Sequence, residues 1–291
     1  MRSNVAEYDL IAPPTLHAAL EALAAEPGRL TPIAGGTELM VALAAGHLSQ
    51  KRLISINHLR ELRFITTTPD AVTIGSGTTY TDIRRHPVLA ADFPLLVQAA
   101  SWTGSIANQN RGTLGGNIVN ASPAADSPPA LLVYDAAVTL VSIRGERTLP
   151  YRDFHLSYKK SVLAPDELLS SITLPRKFAG CRAYIRKVGT RNAQAISKVA
   201  LACLARVEDN LITDIRIGAA SLREVPTRCP AAEAALLNQP LTPETWPATI
   251  AAARAALIAE ARPIDDIRST ARYRASIAAN LLEEFLHQLA I

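Results

Sequence analysis

The chain has 291 residues, 48% of them hydrophobic, enough to supply the core of one large domain or two smaller ones. Its 30 basic and 26 acidic residues leave a formal charge of +4 with no run of five Lys or Arg, which excludes a surface that tracks nucleic-acid phosphates.

Taken in order, the first predicted element is a helix capped by Thr15, with Leu16, Ala19, Leu20 and Leu23 on one face and Pro27-Gly28 as its stop. A short extended run over 29–34 feeds into Gly35-Gly36-Thr37, after which Glu38-Leu39-Met40-Val41 resumes helical composition. Residues 52–56 and 71–75 read as strands separated by a polar turn, Thr66-Thr67-Thr68-Pro69-Asp70. Helices follow near Thr79 and over 94–102, then a buried helix over 128–134 and a strand over 137–143. Past residue 178 three strands are expected, over 183–188, 197–207 and 211–219, and from Pro230 onward the chain reads as Ala-rich helix. There Leu257, Ile258 and Ala261 are expected on one face, and Ile277, Leu281 and Phe285 on another. Strands followed by helices predict an α+β class, with helices layered on a three-stranded antiparallel sheet in the second half. The break between halves falls between Pro175 and Gly180.

Cys181, Cys203 and Cys229 stand far apart with no C-x-x-C pair, which excludes an iron–sulfur or zinc site made by this chain alone. The start of the sequence lacks an apolar signal core, and no stretch approaches about eighteen uninterrupted apolar residues, so no membrane span and a cytoplasmic location are expected.

Two glycine stretches carry the functional signal. One is Ile33-Ala34-Gly35-Gly36-Thr37-Glu38-Leu39. The other runs from Arg111 through Gly112-Thr113-Leu114-Gly115-Gly116-Asn117 to Asp126, with few apolar side chains from which to build a core element. Glycine admits positive φ and lets main-chain N–H groups approach an anion, so both stretches read as loops that could grip the two phosphates of a dinucleotide from opposite sides. Neither fits G-x-G-x-x-G or the P-loop pattern, which disfavours a Rossmann or P-loop site.

Together, in order, these stretches and the following Ala121-Ser122-Pro123-Ala124-Ala125-Asp126-Ser127-Pro128-Pro129 resemble the FAD-binding (medium) subunit of the molybdenum hydroxylases, the xanthine dehydrogenase and carbon monoxide dehydrogenase group. The resemblance continues through Tyr184-Ile185-Arg186-Lys187-Val188-Gly189-Thr190-Arg191-Asn192-Ala193-Gln194-Ala195-Ile196-Ser197-Lys198-Val199 and Pro263-Ile264-Asp265-Asp266, and covers essentially the whole chain. It implies a two-part FAD-binding domain of the PCMH (vanillyl-alcohol-oxidase-like) type over 1–177, with subdomains at about 1–57 and 58–177, and a CO dehydrogenase flavoprotein-like C-terminal domain over 178–291.

By the same resemblance Ile33, Ala34, Gly35, Gly36, Thr37, Glu38 and Leu39 form the loop that wraps the FAD diphosphate. Thr113, Gly115, Gly116 and Asn117 form the loop on the other side, and Asp126 matches an aspartate at the adenosine ribose. Leu168 or Leu169 supplies an apolar contact to adenine or flavin, and Lys187 and Lys198 lie near the flavin ring. No side chain is implied as acid or base. The implied partners are a small subunit with two [2Fe–2S] clusters and a large molybdopterin subunit, arranged as a dimer of heterotrimers. Electrons would pass from the clusters through FAD to NAD⁺, oxygen or another acceptor. Thr103 stands where some relatives carry an aromatic ring that stacks on the flavin. The alternative function is a self-sufficient flavin oxidase of the same fold. For single residues, Asp126 could instead cap the helix after Ser127, Lys198 could be a solvated edge charge, and Lys187 could belong to a partner interface.

Overall fold

The computed structural model describes residues 5–191 and 194–290; Asn192 and Ala193 of the third motif, with residues 1–4 and Ile291, lie outside them. The chain opens with β1 (Asp9–Ile11), α1 (Leu16–Ala25), β2 (Thr31–Ile33), α2 (Leu39–Ala44) and β3 (Arg52–Ser55), the strands forming a parallel sheet in the order β1-β3-β2. Thr15 caps α1 as its sequence predicts, its hydroxyl accepting from Ala18 N at 3.1 Å. The apolar stripe of α1, Ala19, Leu20 and Leu23, packs with Ile54, Leu59 and Leu62.

The second unit holds β4 (Ile65–Thr67), β5 (Ala71–Gly75), α3 (Tyr80–Arg85), α4 (Pro87–Asp92), α5 (Pro94–Trp102), α6 (Ile106–Gln109), α7 (Leu114–Val119), α8 (Pro128–Val133), β6 (Ala137–Ser142), β7 (Gly145–Pro150), the small hairpin β8 (His155–Ser157) and β9 (Lys160–Ser161), and β10 (Leu168–Pro175). Its antiparallel sheet has the order β4-β5-β10-β6-β7, so the last strand inserts between β5 and β6, with the helices in the crossover. Val72 and Ile74, Val138 and Leu140, and Ile172 and Leu174 alternate along the three central strands and are fully buried beneath the helices, the period-two signature of a sheet with one covered face.

Two expectations fail here. The turn expected at 66–70 begins as β4, whose Thr66 and Thr67 pair with Thr73 and Val72. The loop expected around Gly115-Gly116 is instead helical, because buried Leu114 and Ile118 anchor α7 in the core and tertiary packing overrides the poor helix propensity of glycine.

The third unit contains β11 (Arg182–Val188), β12 (Val199–Glu208), β13 (Leu211–Ala220), β14 (Thr227–Arg228), α9 (Pro230–Leu236), α10 (Trp246–Glu260) and α11 (Ala271–Leu289). The sheet is antiparallel with four strands, not three, in the order β11-β12-β13-β14. The added strand is two residues long, too short to carry a periodic signal. Both faces of β12 are buried. Leu201, Cys203 and Ala205 face the core shared with α10 and α11, while Ala202 and Leu204 join the core of the second unit, which explains a near-continuous apolar run in an antiparallel strand. In α10 the buried row is Trp246, Thr249, Ile250, Ala253 and Leu257; Ile258, one step (about 100°) round the helix from Leu257, is exposed, and Ala261 lies just past the helix end.

Units two and three are also joined by charge. Asp135, at φ 49°, accepts from Lys177 Nζ at 3.0 Å and Arg228 Nη1 at 3.3 Å and pairs with Arg216. Partial burial raises its carboxyl, but these cations outweigh it and hold the group below its ordinary value.

Candidate functional site

A cavity of about 650 Å³ opens where the parallel sheet, the helical crossover and the segment before β10 converge. Its walls come from the ends of elements: Thr31 and Pro32 of β2, the turn at 34–38, Tyr80 of α3, Thr103-Gly104 after α5, the 112–120 stretch and the 161–169 stretch.

The two glycine stretches touch each other. A Cβ on Gly35 would lie 1.8 Å from the Arg111 carbonyl oxygen, so only glycine permits this approach. Gly36 sits at φ +74°, the left-handed region that turns the chain from β2 into α2. The N–H groups of Gly35, Gly36 and Thr37 meet no acceptor among the described residues, and the Thr37 hydroxyl likewise makes no hydrogen bond. A row of free donors facing a cavity is an anion-binding arrangement.

The second stretch is built differently. Gly115 N–H donates to Ser76 O at 2.9 Å, Leu114 N–H to Thr78 O at 3.1 Å, Asn117 N–H to Thr113 O at 3.1 Å, and Gly116 N–H to Thr113 Oγ1 at 3.0 Å. Its donors are spent on holding α7. Its glycines answer to space rather than to φ: a Cβ on Gly115 would meet Ser76 Cβ at 2.4 Å, and one on Gly116 would meet Thr113 Oγ1 at 2.9 Å. The positive φ expected of this Gly-Gly pair is absent. What it offers the cavity is bare backbone and the Asn117 amide, whose buried Oδ1 has no partner.

Of the residues singled out from sequence, Ala34, Gly35, Gly36, Thr37, Glu38, Leu39, Thr113, Gly115, Gly116, Asn117, Leu168 and Leu169 line the cavity. Glu38 is exposed at the N-cap of α2. Ile33, Asp126, Lys187 and Lys198 do not line it.

Asp126 and Lys187 form a buried ion pair across units two and three, 2.6 Å apart with side chains 9% and 7% exposed; Ser197 Oγ donates to the other carboxylate oxygen at 2.6 Å. Burial pushes the Asp126 carboxyl up, opposed by the Lys187 ammonium and the Ser197 hydroxyl. Asp126 does not cap α8, whose N-cap position is Ser127 and which has no side-chain cap. Lys187 Nζ also lies 3.4 Å from the carbonyl of Trp102, which immediately precedes the cavity-lining Thr103-Gly104. Lys198 Nζ sits 5.3 Å from the centroid of the Tyr273 ring.

Sequence reasoning missed Tyr80, Asn108, Ile56, Leu62, Ser161, Leu163, Ala164 and Pro165, all of which line the cavity. They are single residues on separate elements, and no local pattern marks them.

The free donors of the turn, the glycine cradle and the orphaned Asn117 amide suit a phosphorylated, hydroxyl-rich ligand. A family model described as the FAD binding domain in molybdopterin dehydrogenase matches residues 6–177, and one described as the CO dehydrogenase flavoprotein C-terminal domain matches residues 184–289. The chain belongs to the FAD-binding medium subunits of the xanthine dehydrogenase and carbon monoxide dehydrogenase family. As such it is an oxidoreductase subunit with an FAD-binding domain.

Among similar proteins, the putative xanthine dehydrogenase FAD-binding subunit of Escherichia coli K12 is 32% identical over 235 residues, 79% of this chain and 80% of that one. The nicotinate dehydrogenase FAD-subunit of Eubacterium barkeri is 31% identical over 222 residues, 75% of each chain. Among solved structures, a chain of the carbon monoxide dehydrogenase from Hydrogenophaga pseudoflava superposes with a TM-score of 0.90 at 28% identity, covering 96% of this medium subunit and 95% of that chain.

Proposed function

We propose that the cavity binds FAD and that the chain is the electron-transfer subunit of a molybdopterin-dependent hydroxylase. The observation that carries this reading is the row of free N–H groups at Gly35, Gly36 and Thr37 facing a cavity of dinucleotide scale. Those groups and the Thr37 hydroxyl hold the diphosphate. Thr113, Gly115 and Gly116 let the backbone of α7 approach it closely, and the Asn117 amide bonds a ligand hydroxyl. Leu168 and Leu169 flank an aromatic ring system. Asp126, with both oxygens engaged, orients Lys187, whose ammonium reaches the Trp102 carbonyl beside Thr103-Gly104, and Lys187 and Lys198 are read as the cations near the flavin ring, where electron density grows on reduction. When bound, FAD supplies the redox chemistry and exchanges electrons with one-electron and two-electron carriers.

The architecture is read as a PCMH-type FAD domain in two parts, about 1–57 and 58–177, followed by a C-terminal domain from 178. The partners are read as a small subunit with two [2Fe–2S] clusters and a large molybdopterin subunit, in a cytoplasmic dimer of heterotrimers, with NAD⁺, oxygen or another acceptor downstream. Among the described residues there is no cluster of metal-ligating side chains, and no helix is long and apolar enough to cross a membrane. The names of relatives point to substrates as different as xanthine and nicotinate, in keeping with a reading in which another subunit chooses the substrate.

The visible absorption spectrum of the purified chain, with the released cofactor identified by mass, tests the cofactor; a colourless, cofactor-free protein would refute it. Purification from the native host tests the complex, with iron–sulfur and molybdopterin chains expected alongside.

A further inference from the structure

The wall of the cavity over 161–169 is held by a device the flavin reading does not use. Arg147 on β7 donates through Nε and Nη2 to both carboxylate oxygens of Glu167, each at 2.7 Å, and Nη2 also donates to Val162 O at 2.8 Å. Glu167 Oε2 accepts in addition from Ala164 N–H at 2.8 Å. One guanidinium and one carboxylate therefore tie both ends of the segment 162–167 to the sheet. Glu167 is 8% exposed, and the hydrogen bond and charge of Arg147 hold its carboxyl below the ordinary value despite burial. The preceding pair, Arg144 with Asp166, repeats the tie one residue earlier.

The tied segment presents Leu163, Ala164 and Pro165 to the cavity, continuous with Leu168 and Leu169. It lies beside the turn that precedes β2. A Cβ on Gly28, before that strand, would lie 3.7 Å from Pro165, whereas Gly35, beyond it, abuts Arg111. The chain thus crosses from the apolar wall to the polar loops within eight residues (28 to 35), reaching the free donors only at the far end. With Leu168 and Leu169, the residues Leu163, Ala164 and Pro165 make an apolar slot in the lining, to which Pro32, Ile56 and Leu62 add apolar surface, whereas Thr103, Asn108 and Asn117 are polar lining residues.

We propose that the Arg147–Glu167 clamp is a positioning device for the adenine half of the dinucleotide: it pre-forms the apolar slot, so that the chain distinguishes FAD from shorter flavins. The inference rests on the reading of the cavity as an FAD site. Adenine is flat and weakly polar and fits an apolar slot, while the more polar flavin ring suits the amide- and hydroxyl-bearing side. A pre-formed wall avoids the entropy cost of ordering six residues (162–167) on binding.

The test uses the full chain stripped of flavin, with Arg147→Ala and the near-isosteric Glu167→Gln beside the unaltered chain. Titrations with FAD, with ADP (adenosine and both phosphates, no flavin) and with FMN (flavin, no adenosine) are read by fluorescence and calorimetry. Arg147→Ala is expected to weaken FAD and ADP alike by about tenfold and to leave FMN within about twofold, with a smaller loss of the same pattern in Glu167→Gln. FMN affinity that falls together with FAD, or FAD and ADP affinities that do not move in either variant, overturns the clamp. An unaltered chain that takes up no FAD overturns instead the reading of the cavity on which the clamp rests.

Discussion

The two glycine stretches look alike in sequence and do opposite things. At 35–37 the chain spends glycine on conformation: Gly36 takes a left-handed φ, and three successive N–H groups are left without partners. At 113–117 it spends glycine on packing: both residues are helical, their N–H groups are consumed, and their missing side chains make room for Ser76 and the Thr113 cap. One stretch is an open set of donors and the other a smooth wall. A Gly-Gly pair therefore marks close approach, but whether the backbone also donates depends on whether a neighbouring strand end already takes its hydrogen bonds.

Substitutions can break this comparison, beginning with the contact between the stretches. Gly35→Ala places a methyl against the Arg111 carbonyl and forces the two apart; loss of bound flavin and a stability loss of ~1–3 kcal/mol or more are expected, read as absorbance and melting temperature. Gly36→Ala presses only on the Met40 side chain, 3.3 Å away, but penalises the left-handed turn by ~1–2 kcal/mol, and should lower FAD affinity more than it lowers the melting temperature. Gly116→Val should weaken FAD about tenfold by crowding the cavity and displacing Thr113 Oγ1, with the C-terminal unit still folded by circular dichroism. Normal flavin content in that variant would make α7 scaffold alone. Thr113→Ala removes the cap of α7 and should cost ~1 kcal/mol of stability, with a smaller effect on flavin than Gly116→Val because it adds no bulk to the cavity.

A pH effect separates both stretches from their scaffold. Burial lowers the His155 imidazole to about 4, while its Nε2 lies 3.1 Å from the Tyr151 hydroxyl. Unfolding raises that pKa toward about 6.5, so between these values the unfolded chain binds the extra proton and stability falls as pH falls. The melting temperature should drop from pH 7 to pH 4.5, and His155→Gln should flatten that part of the profile.

The sequence made the strand–turn–helix at 31–44 legible because each piece carries a local signal: a short extended run, glycines that cannot continue it, then helical composition. It made α1 legible through its cap and stripe. It hid α7, because a helix containing Gly115 and Gly116 forms only when Leu114 and Ile118 find the core. It hid β14, which is a strand only by virtue of Gly218 and Ala219 beside it. Most of the cavity lining was read from the two glycine motifs, whereas the Arg147–Glu167 clamp and the Asp126–Lys187 pair join residues 20 and 61 positions apart and have no local signature.

The Asp126–Lys187 pair bears on how such a protein can be cut and rebuilt. Asp126 sits in the flavin-binding half and its partners, Lys187 on β11 and Ser197, in the other, so a chain ended after residue 177 loses both the cation and the hydroxyl that hold this carboxylate. The two halves are then not exchangeable modules: a graft of this flavin-binding half onto another scaffold must bring an ammonium to the same spot or replace Asp126 with a neutral residue.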